Sequence, residues 1–255
     1  MENKFKKVSI IGYGNVGSHL VEAFYNIGIQ VTHVLVRNSS KYQSQDNIFT
    51  SKYSELPFNQ LVIICVPDDS VVDIIKQIDE SCPIAYTSGS VKLESLHFKG
   101  EVGVFYPLQS FTKGISVNMT EVPFFIESNS VSFGKSLFQL ASLLSNNVKY
   151  ANSDVRSKLH LAAVWVNNFT NHINYIAKDY LDNQELDFED LKPLLKETVR
   201  KIESNSPFEV QTGPARRGDS KTIEKHLKML NEKQKEIYQL LSESIQKTYS
   251  KNDKL

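Results

Sequence analysis

The sequence is poor in cysteine, in net charge and in long hydrophobic runs. Only two cysteines occur in 255 residues, too few for a disulfide framework, so we expect a reducing, cytoplasmic environment. The 29 basic residues balance the 29 acidic ones, which argues against nucleic acid or a membrane as partner. The most continuous apolar run, residues 61–66, is far shorter than the roughly 20 residues of a membrane span. A first strand beginning near Lys7 leaves no room for a signal peptide.

What the sequence does contain is a glycine loop near its beginning. Residues 8–17 read Val-Ser-Ile-Ile-Gly-Tyr-Gly-Asn-Val-Gly, an apolar strand that leads through three glycines into a helical pattern. Glycines at this spacing let the backbone approach a pyrophosphate and present a helix N-terminus to it. The alternative is a glycine turn without a ligand. The predicted phosphate-binding residues are Gly12, Tyr13, Gly14, Asn15, Val16 and Gly17.

The end of the second predicted strand favours NADP over NAD. An NAD site usually places Asp or Glu about twenty residues after the glycines, where the carboxylate binds the ribose 2′-hydroxyl. Here the sequence is Val-Arg-Asn-Ser-Ser-Lys over 36–41, and the nearest acid is Asp46. The guanidinium of Arg37 suits a 2′-phosphate, and the hydroxyls of Ser39 and Ser40 can donate to it. We predict Arg37, Asn38 and Ser39 as cofactor-binding residues; the alternative is that Arg37 is merely solvated.

Apolar periodicity predicts alternating strands and helices as far as residue 151. Strands are expected over 6–11, 30–36, 61–66, 83–87, 102–105, 124–127 and 148–151, with helices over 18–27, 69–78 and 132–144 and a helical turn at 53–56. This order indicates an α/β protein with a doubly wound, mostly parallel Rossmann sheet. Helical patterns follow over 153–181, 188–204 and 221–249. We predict an NADP-binding Rossmann domain over 1–151 and an all-α domain for substrate binding and dimerisation over 152–255.

Polar residues follow three of the predicted strands, and ligands of open α/β sheets bind beside such carboxyl ends. We predict Val66, Pro67, Asp68, Ser88 and Gly89 as cofactor-binding residues. Tyr106, Gln109 and Ser110 are predicted to bind substrate, although each turn taken alone is equally consistent with a plain loop. Asp68 and Asp69 also supply N-cap chemistry for the next helix. Cys65 and Cys82 are interpreted as small core residues.

The predicted helix over 153–181 carries polar residues on one face. At about 100° per residue, His160, Asn167 and Asn171 fall within a narrow stripe, with Asn168 roughly one position round it. One hypothesis makes His160 a proton donor or acceptor toward substrate and Asn167 or Asn168 its orienting group. The alternative is a hydrogen-bonded core histidine with asparagines that pack between helices.

A short loop between two later helices holds paired arginines. Residues 211–219 read Gln-Thr-Gly-Pro-Ala-Arg-Arg-Gly-Asp. The planar guanidinium groups of Arg216 and Arg217 suit an anionic substrate or a partner subunit. Solvated surface arginines are the alternative.

Together these segments resemble a known family. The carrying segments are residues 12–17, 66–69, 87–90, 106–111, 160–169 and 212–219. They are similar to two-domain Rossmann-like NADP oxidoreductases with an uncharacterised helical C-terminal domain of the DUF2520 type, related to deazaflavin-dependent NADP oxidoreductases, pyrroline-carboxylate reductases and ketopantoate reductases. The resemblance implies NADP as cofactor, a homodimer built from the helical domains, and an active site in an interdomain cleft.

One departure from the related reductases concerns a lysine. They often pair a catalytic lysine on the first interdomain helix with an asparagine four residues later, whereas here Lys158 is followed at that spacing by Ala162. The leading hypothesis is an NADP-dependent oxidoreductase that moves a hydride to or from a small carbonyl, imine or hydroxy compound, without a metal ion. The alternative is a non-catalytic NADP-binding sensor or partner-binding protein.

Overall fold

The computed structural model describes residues 4–42, 48–57 and 59–250, and its first part has the predicted α/β fold. Eight strands of these residues form one sheet. They are β1 (Lys7–Ile11), β2 (Gln30–Leu35), β3 (Phe49–Thr50), β4 (Leu61–Ile64), β5 (Ile84–Tyr86), β6 (Val102–Pro107), β7 (Phe124–Ser128) and β8 (Val148–Tyr150). The two-residue strand β3 was not predicted, because so short a segment shows no periodicity.

The strand order fixes where a ligand can bind. It runs β3-β2-β1-β4-β5-β6-β7-β8, with neighbours parallel except for the antiparallel pair β6 and β7. Strands β2 and β3 lie on one side of β1, and β4 lies on its other side. Such a switch point leaves a crevice outside the carboxyl ends of β1 and β4.

Helices cover both faces of the sheet, because its central strands are apolar on both sides. Val8 and Ile10 of β1 belong to one hydrophobic core and Ile11 belongs to the other, since successive side chains point to opposite faces. The first core receives α1 (Asn15–Asn26) and α3 (Val131–Leu144), and the second receives α2 (Asp68–Ile75).

The remaining helices follow β8. They are α4 (Ser153–Ala163), α5 (Thr170–Asp182), α6 (Lys192–Ser204), α7 (Pro214–Arg217), α8 (Ser220–Met229) and α9 (Glu232–Ser250). Two segments that were predicted as single helices are each interrupted. The segment 153–181 is interrupted by a π-helix over Val164–Phe169. The segment 221–249 breaks before α9, where the side chain of Asn231 accepts a hydrogen bond from the backbone N–H of Gln234 at 3.0 Å and so caps the new helix.

The chain divides into two compact units, one ending at Phe169 and the other beginning at Thr170. The predicted domain boundary at residue 151 coincides instead with the passage from β8 to α4, and it stays a prediction. Among the described residues, no helix has the length and apolar content needed to cross a membrane.

Candidate cofactor and active site

Two glycines of the loop after β1 are required by packing within the protein. Gly12 has a φ of 94°, and a Cβ placed on it would lie 2.3 Å from the carbonyl oxygen of Cys65. A Cβ on Gly17 would lie 2.0 Å from the carbonyl oxygen of Gly12. No other residue fits at either position without moving backbone. These two glycines therefore hold β1, β4 and α1 close together.

No contact within the described residues explains why residue 14 is a glycine. Its φ of −79° suits any residue, and a Cβ built on it meets no atom within 4 Å. It is the N-cap of α1, whose first turn carries no acidic residue. The first N–H groups of a helix lack intrahelical partners and attract anions. The space above Gly14 is thus open, and the first turn of α1 places no carboxylate in it.

A cleft of about 690 Å³ lies beside this loop. Its walls hold these predicted cofactor-binding residues: Gly12, Tyr13, Gly14, Arg37, Asn38, Val66 and Pro67. Lys41 and Tyr42 also line the cleft and were not predicted; a lysine four residues after Arg37 was the available signal. Ser39 begins a 3₁₀ turn that ends at Tyr42, and the Asn38 side chain accepts a hydrogen bond from the N–H of Ser40 at 3.1 Å. The end of β2 therefore presents two cations to the cleft, while Asp69 and Asp73 of α2 line it as well.

Asp68 does not cap α2 as predicted. The N-cap is Pro67, without a side-chain hydrogen bond, and Asp68 is the first helical residue. Its carboxylate instead accepts a hydrogen bond from the hydroxyl of Ser90. Asp68 and Asp69 still lie in the first turn of α2, where negative charge is favourable. The side chain of Asp68 thus connects the turn after β4 with the turn after β5.

Cys65 is buried at the end of β4, as predicted. Burial raises the pKa of its thiol to about 12, so the thiolate is absent at neutral pH. Since the thiolate is the reactive form, Cys65 is a packing residue. Burial likewise raises the pKa of Cys82.

The structure brings His160 together with Tyr106. The Tyr106 hydroxyl lies 3.0 Å from His160 Nδ1, at the point where β6 meets α4. Gly89 lies against both groups, because a Cβ on it would lie 2.8 Å from His160 Nδ1 and from the Tyr106 hydroxyl. Burial first, and the nearby charge of Asp68 second, raise the pKa of Tyr106 to about 12. The phenol therefore keeps its proton throughout the neutral range.

Arg156 holds this arrangement in place. It was not predicted as a site residue from the sequence. Its side chain is 0% exposed and forms an ion pair with Glu127 of β7. Its Nε donates to the carbonyl oxygen of Ser88 at 3.1 Å, and its Nη2 donates to that of Val91. The Ser88 hydroxyl accepts from the N–H of Val91 at 2.9 Å. Arg156 thus anchors both α4 and the turn that carries Gly89. Its spacing of four residues from His160 on one helix face was the available signal.

Asn167 and Asn168 lie in the π-helix and are exposed. A π-helix has more residues per turn than an α-helix, so the stripe calculated at 100° per residue does not extend from His160 to Asn167. Because both side chains are exposed, no free energy is lost by removing their amides from water. Their roles stay predictions.

Gln109 and Ser110 follow β6 and are exposed, with the Gln109 side chain accepting a hydrogen bond from the N–H of Ser110 at 2.8 Å. Tyr106 belongs to β6, and these two residues come shortly after it. All three stay predictions as substrate-binding residues. Lys158 is 75% exposed and pairs with Asp154 at 2.7 Å.

Arg216 and Arg217 belong to the second unit, in the short helix α7. The guanidinium of Arg216 lies 4.4 Å from the centre of the Tyr249 ring, a cation–π contact. The following Gly218 has a φ of 67°, and Asp219 caps α8 by accepting from the N–H of Thr222 at 3.1 Å. Helix-end geometry accounts for Gly218 and Asp219, whereas a substrate role for either arginine stays a prediction.

The sheet order, the glycine loop and the cleft beside it define a Rossmann-type dinucleotide-binding fold. Residues 122–245 match the family described as a domain of unknown function, DUF2520. A protein from Bacteroides fragilis, named as a candidate NADP oxidoreductase, is 34% identical with a TM-score of 0.88, over 96% of this chain and 100% of that one. The chain therefore belongs to the same family of Rossmann-type proteins with a DUF2520 domain.

More distant structures share the fold. An imine reductase from Myxococcus stipitatus in complex with NADP+ is 13% identical with a TM-score of 0.60, covering 97% of this chain and 94% of that one. A pyrroline carboxylate reductase from Plasmodium falciparum with NADP bound is also 13% identical, with a TM-score of 0.61 and coverage of 95% and 97%. A sequence search of curated proteins gives no significant match.

Proposed function

We propose that this protein is an NADP-dependent oxidoreductase acting on a small carbonyl, imine or hydroxy compound. The observation that carries the proposal is Gly14, whose missing side chain serves no contact within the protein. An open backbone at a helix N-terminus is what a pyrophosphate needs. Arg37 and Lys41 at the end of β2 suit the additional 2′-phosphate of NADP. The names of several structural relatives support the same cofactor.

The nicotinamide, when bound, supplies or accepts the hydride. The protein must then provide a proton, and the Tyr106–His160 pair can do so. For reduction of a carbonyl, the Tyr106 O–H bond breaks as a bond from that hydrogen to the substrate oxygen forms. The imidazole of His160, partly exposed and 3.0 Å away, returns a proton to the phenolate and exchanges with water. Oxidation of a hydroxy compound follows the same path in reverse.

Replacing Gly14 by valine tests the cofactor site. We expect the NADPH dissociation constant to rise at least about tenfold, because the new side chain fills the space over the helix N-terminus. The melting temperature should fall only slightly, since no protein atom lies within 4 Å of the added Cβ and a poorer N-cap residue costs about 1 kcal/mol or less. Isothermal titration calorimetry and thermal unfolding measure the two effects.

Gly17→Ala is the matched control for this experiment. Its Cβ would overlap the carbonyl oxygen of Gly12, so we expect a clear loss of stability. Failure of the wild type to bind NADPH at up to millimolar concentration would refute the proposed function.

One observation favours a non-catalytic NADP sensor as second candidate. Lys158 is exposed and paired with Asp154, and Ala162 stands where the related reductases place asparagine. A screen of NADPH oxidation with ketoacids, cyclic imines and deazaflavin separates the two candidates. Tight binding without turnover of any compound would favour the sensor.

We also propose that the protein is a homodimer located in the cytoplasm, where Cys65 and Cys82 stay reduced. Large apolar side chains are exposed on the helices: Leu161, Trp165, Val166, Phe169, Leu194, Val199, Ile202 and Leu240. A monomer rarely leaves so many uncovered. Sedimentation equilibrium should give about twice the chain mass of 29.0 kDa, and Trp165→Glu should shift the protein toward monomer. A monomeric wild type at micromolar concentration would contradict this proposal.

A further inference from the structure

The segment that follows β6 crosses the beginning of α1. Phe111 is buried and its ring lies 5.0 Å from that of His19. The N–H of Lys113 donates to the side-chain oxygen of Asn15 at 3.2 Å. His19 Nε2 lies 2.8 Å from the carbonyl oxygen of Ile115. These contacts hold the backbone around Lys113 against the first two turns of α1.

The ammonium group of Lys113 lies over aromatic rings of the cofactor cleft. Its Nζ is 4.7 Å from the centre of the Tyr13 ring and 5.7 Å from that of Tyr42, within cation–π range. Both tyrosines line the cleft and pack with Phe49, at centre distances of 5.0 Å and 4.5 Å. The ring cluster thus holds the cation beside two residues of the cleft, in a neighbouring pocket that Lys113 lines together with Tyr13 and Glu22.

Within the described part of the chain, this cation has no ion-pair partner. Among residues 4–42, 48–57 and 59–250, no carboxylate forms an ion pair with Lys113. Most of the described lysines that do form an ion pair have a glutamate or aspartate three or four residues away on the same helix or turn. A positive charge that is held by aromatic rings and forms no ion pair with the described residues can bind an external anion.

We propose that Lys113 is a cofactor-binding residue that acts on the pyrophosphate. The inference rests on the proposed function. Two contacts point to the pyrophosphate: the backbone of Lys113 is bonded to Asn15, the first residue of α1, and its ammonium lies over Tyr13, between Gly12 and Gly14. Arg37 and Lys41 follow β2 and suit the 2′-phosphate; from that segment Lys113 contacts only Tyr42, the more distant of its two rings.

NADPH and NADH together test this assignment, because they share the pyrophosphate and differ in the 2′-phosphate. Lys113→Met keeps the aliphatic stem and removes the charge. We expect both dissociation constants to rise by the same factor, about three- to tenfold, because the lost attraction is between exposed charges. Lys113→Arg should restore most of the affinity. Arg37→Met should weaken NADPH and leave NADH unchanged.

Calorimetric titration at several salt concentrations supplies the readout, and Lys149→Met on β8 is the matched control. The affinity of Lys113→Met should also depend less steeply on salt. Unchanged dissociation constants, or a loss confined to NADPH, would overturn the assignment while the proposed function stands. A wild type that binds neither dinucleotide would overturn both.

Discussion

Tyr106→Phe is expected to lower kcat by about 10²- to 10³-fold, with whichever carbonyl or imine the wild type reduces. The substitution keeps the ring and removes the hydroxyl that lies 3.0 Å from His160 Nδ1. General acid–base groups contribute on the order of 10²- to 10⁴-fold. NADPH affinity should be unchanged, because the glycine loop is untouched. Steady-state kinetics and calorimetric titration measure the two quantities separately.

The controls distinguish a proton role from a structural one. Tyr150→Phe removes a hydroxyl from an exposed tyrosine of β8 and should leave kcat unchanged. Because burial raises the pKa of Tyr106 to about 12, ionisation of the phenol should not limit kcat around neutral pH. A kcat for Tyr106→Phe within twofold of the wild type would remove Tyr106 from the mechanism.

Arg156→Met is expected to destabilise the protein by about 3–5 kcal/mol, the usual cost of removing one partner from a buried ion pair. Glu127, whose side chain is 14% exposed, would keep a largely buried charge without its cation. The carbonyl oxygen of Ser88 would also lose the Arg156 donor, and that of Val91 would keep only the hydroxyl of Tyr86. Urea unfolding followed by circular dichroism measures the loss.

A second substitution keeps this prediction testable if the single variant fails to fold. Arg156→Met combined with Glu127→Gln removes both charges, and we expect it to recover part of the lost stability. Arg200→Met breaks a similar pair with Glu197 on the surface and should leave the unfolding midpoint unchanged. Equal stability of Arg156→Met and the wild type would contradict the anchoring role.

Much of the fold was predictable because its signals are local. The strand–glycine–helix sequence at residues 8–17 places β1 and α1 next to each other within ten residues. The apolar run over 61–66 identifies β4, since a strand buried on both faces has no polar alternation. The cofactor cleft follows from these elements, because parallel strands present their carboxyl ends at one edge of the sheet.

The polar contacts around the site were not predictable in the same way. Arg156 and Glu127 are 29 residues apart in the sequence, and no local pattern around either residue predicts that they pair. The helix-capping prediction for Asp68 was reasonable from local sequence, but its side chain binds Ser90 in the neighbouring turn. The π-helix changes the helical phase without any proline or glycine to mark it. The first two of these depend on tertiary contacts.

The spacing of Arg156 and His160 on α4 has a mechanical consequence. They are four residues apart, so His160 lies about 6 Å along the helix axis from Arg156, whose side chain is held in place. A misplacement of about 1 Å can cost about 10²-fold in a positioned reaction, and a tilt of the helix about Arg156 would have to reach about 10° to displace the imidazole that far. Because the buried Arg156 holds α4 so close to His160, the distance between Tyr106 and His160 can fluctuate only a little. Both ends of that distance, and Arg156 itself, belong to the first compact unit.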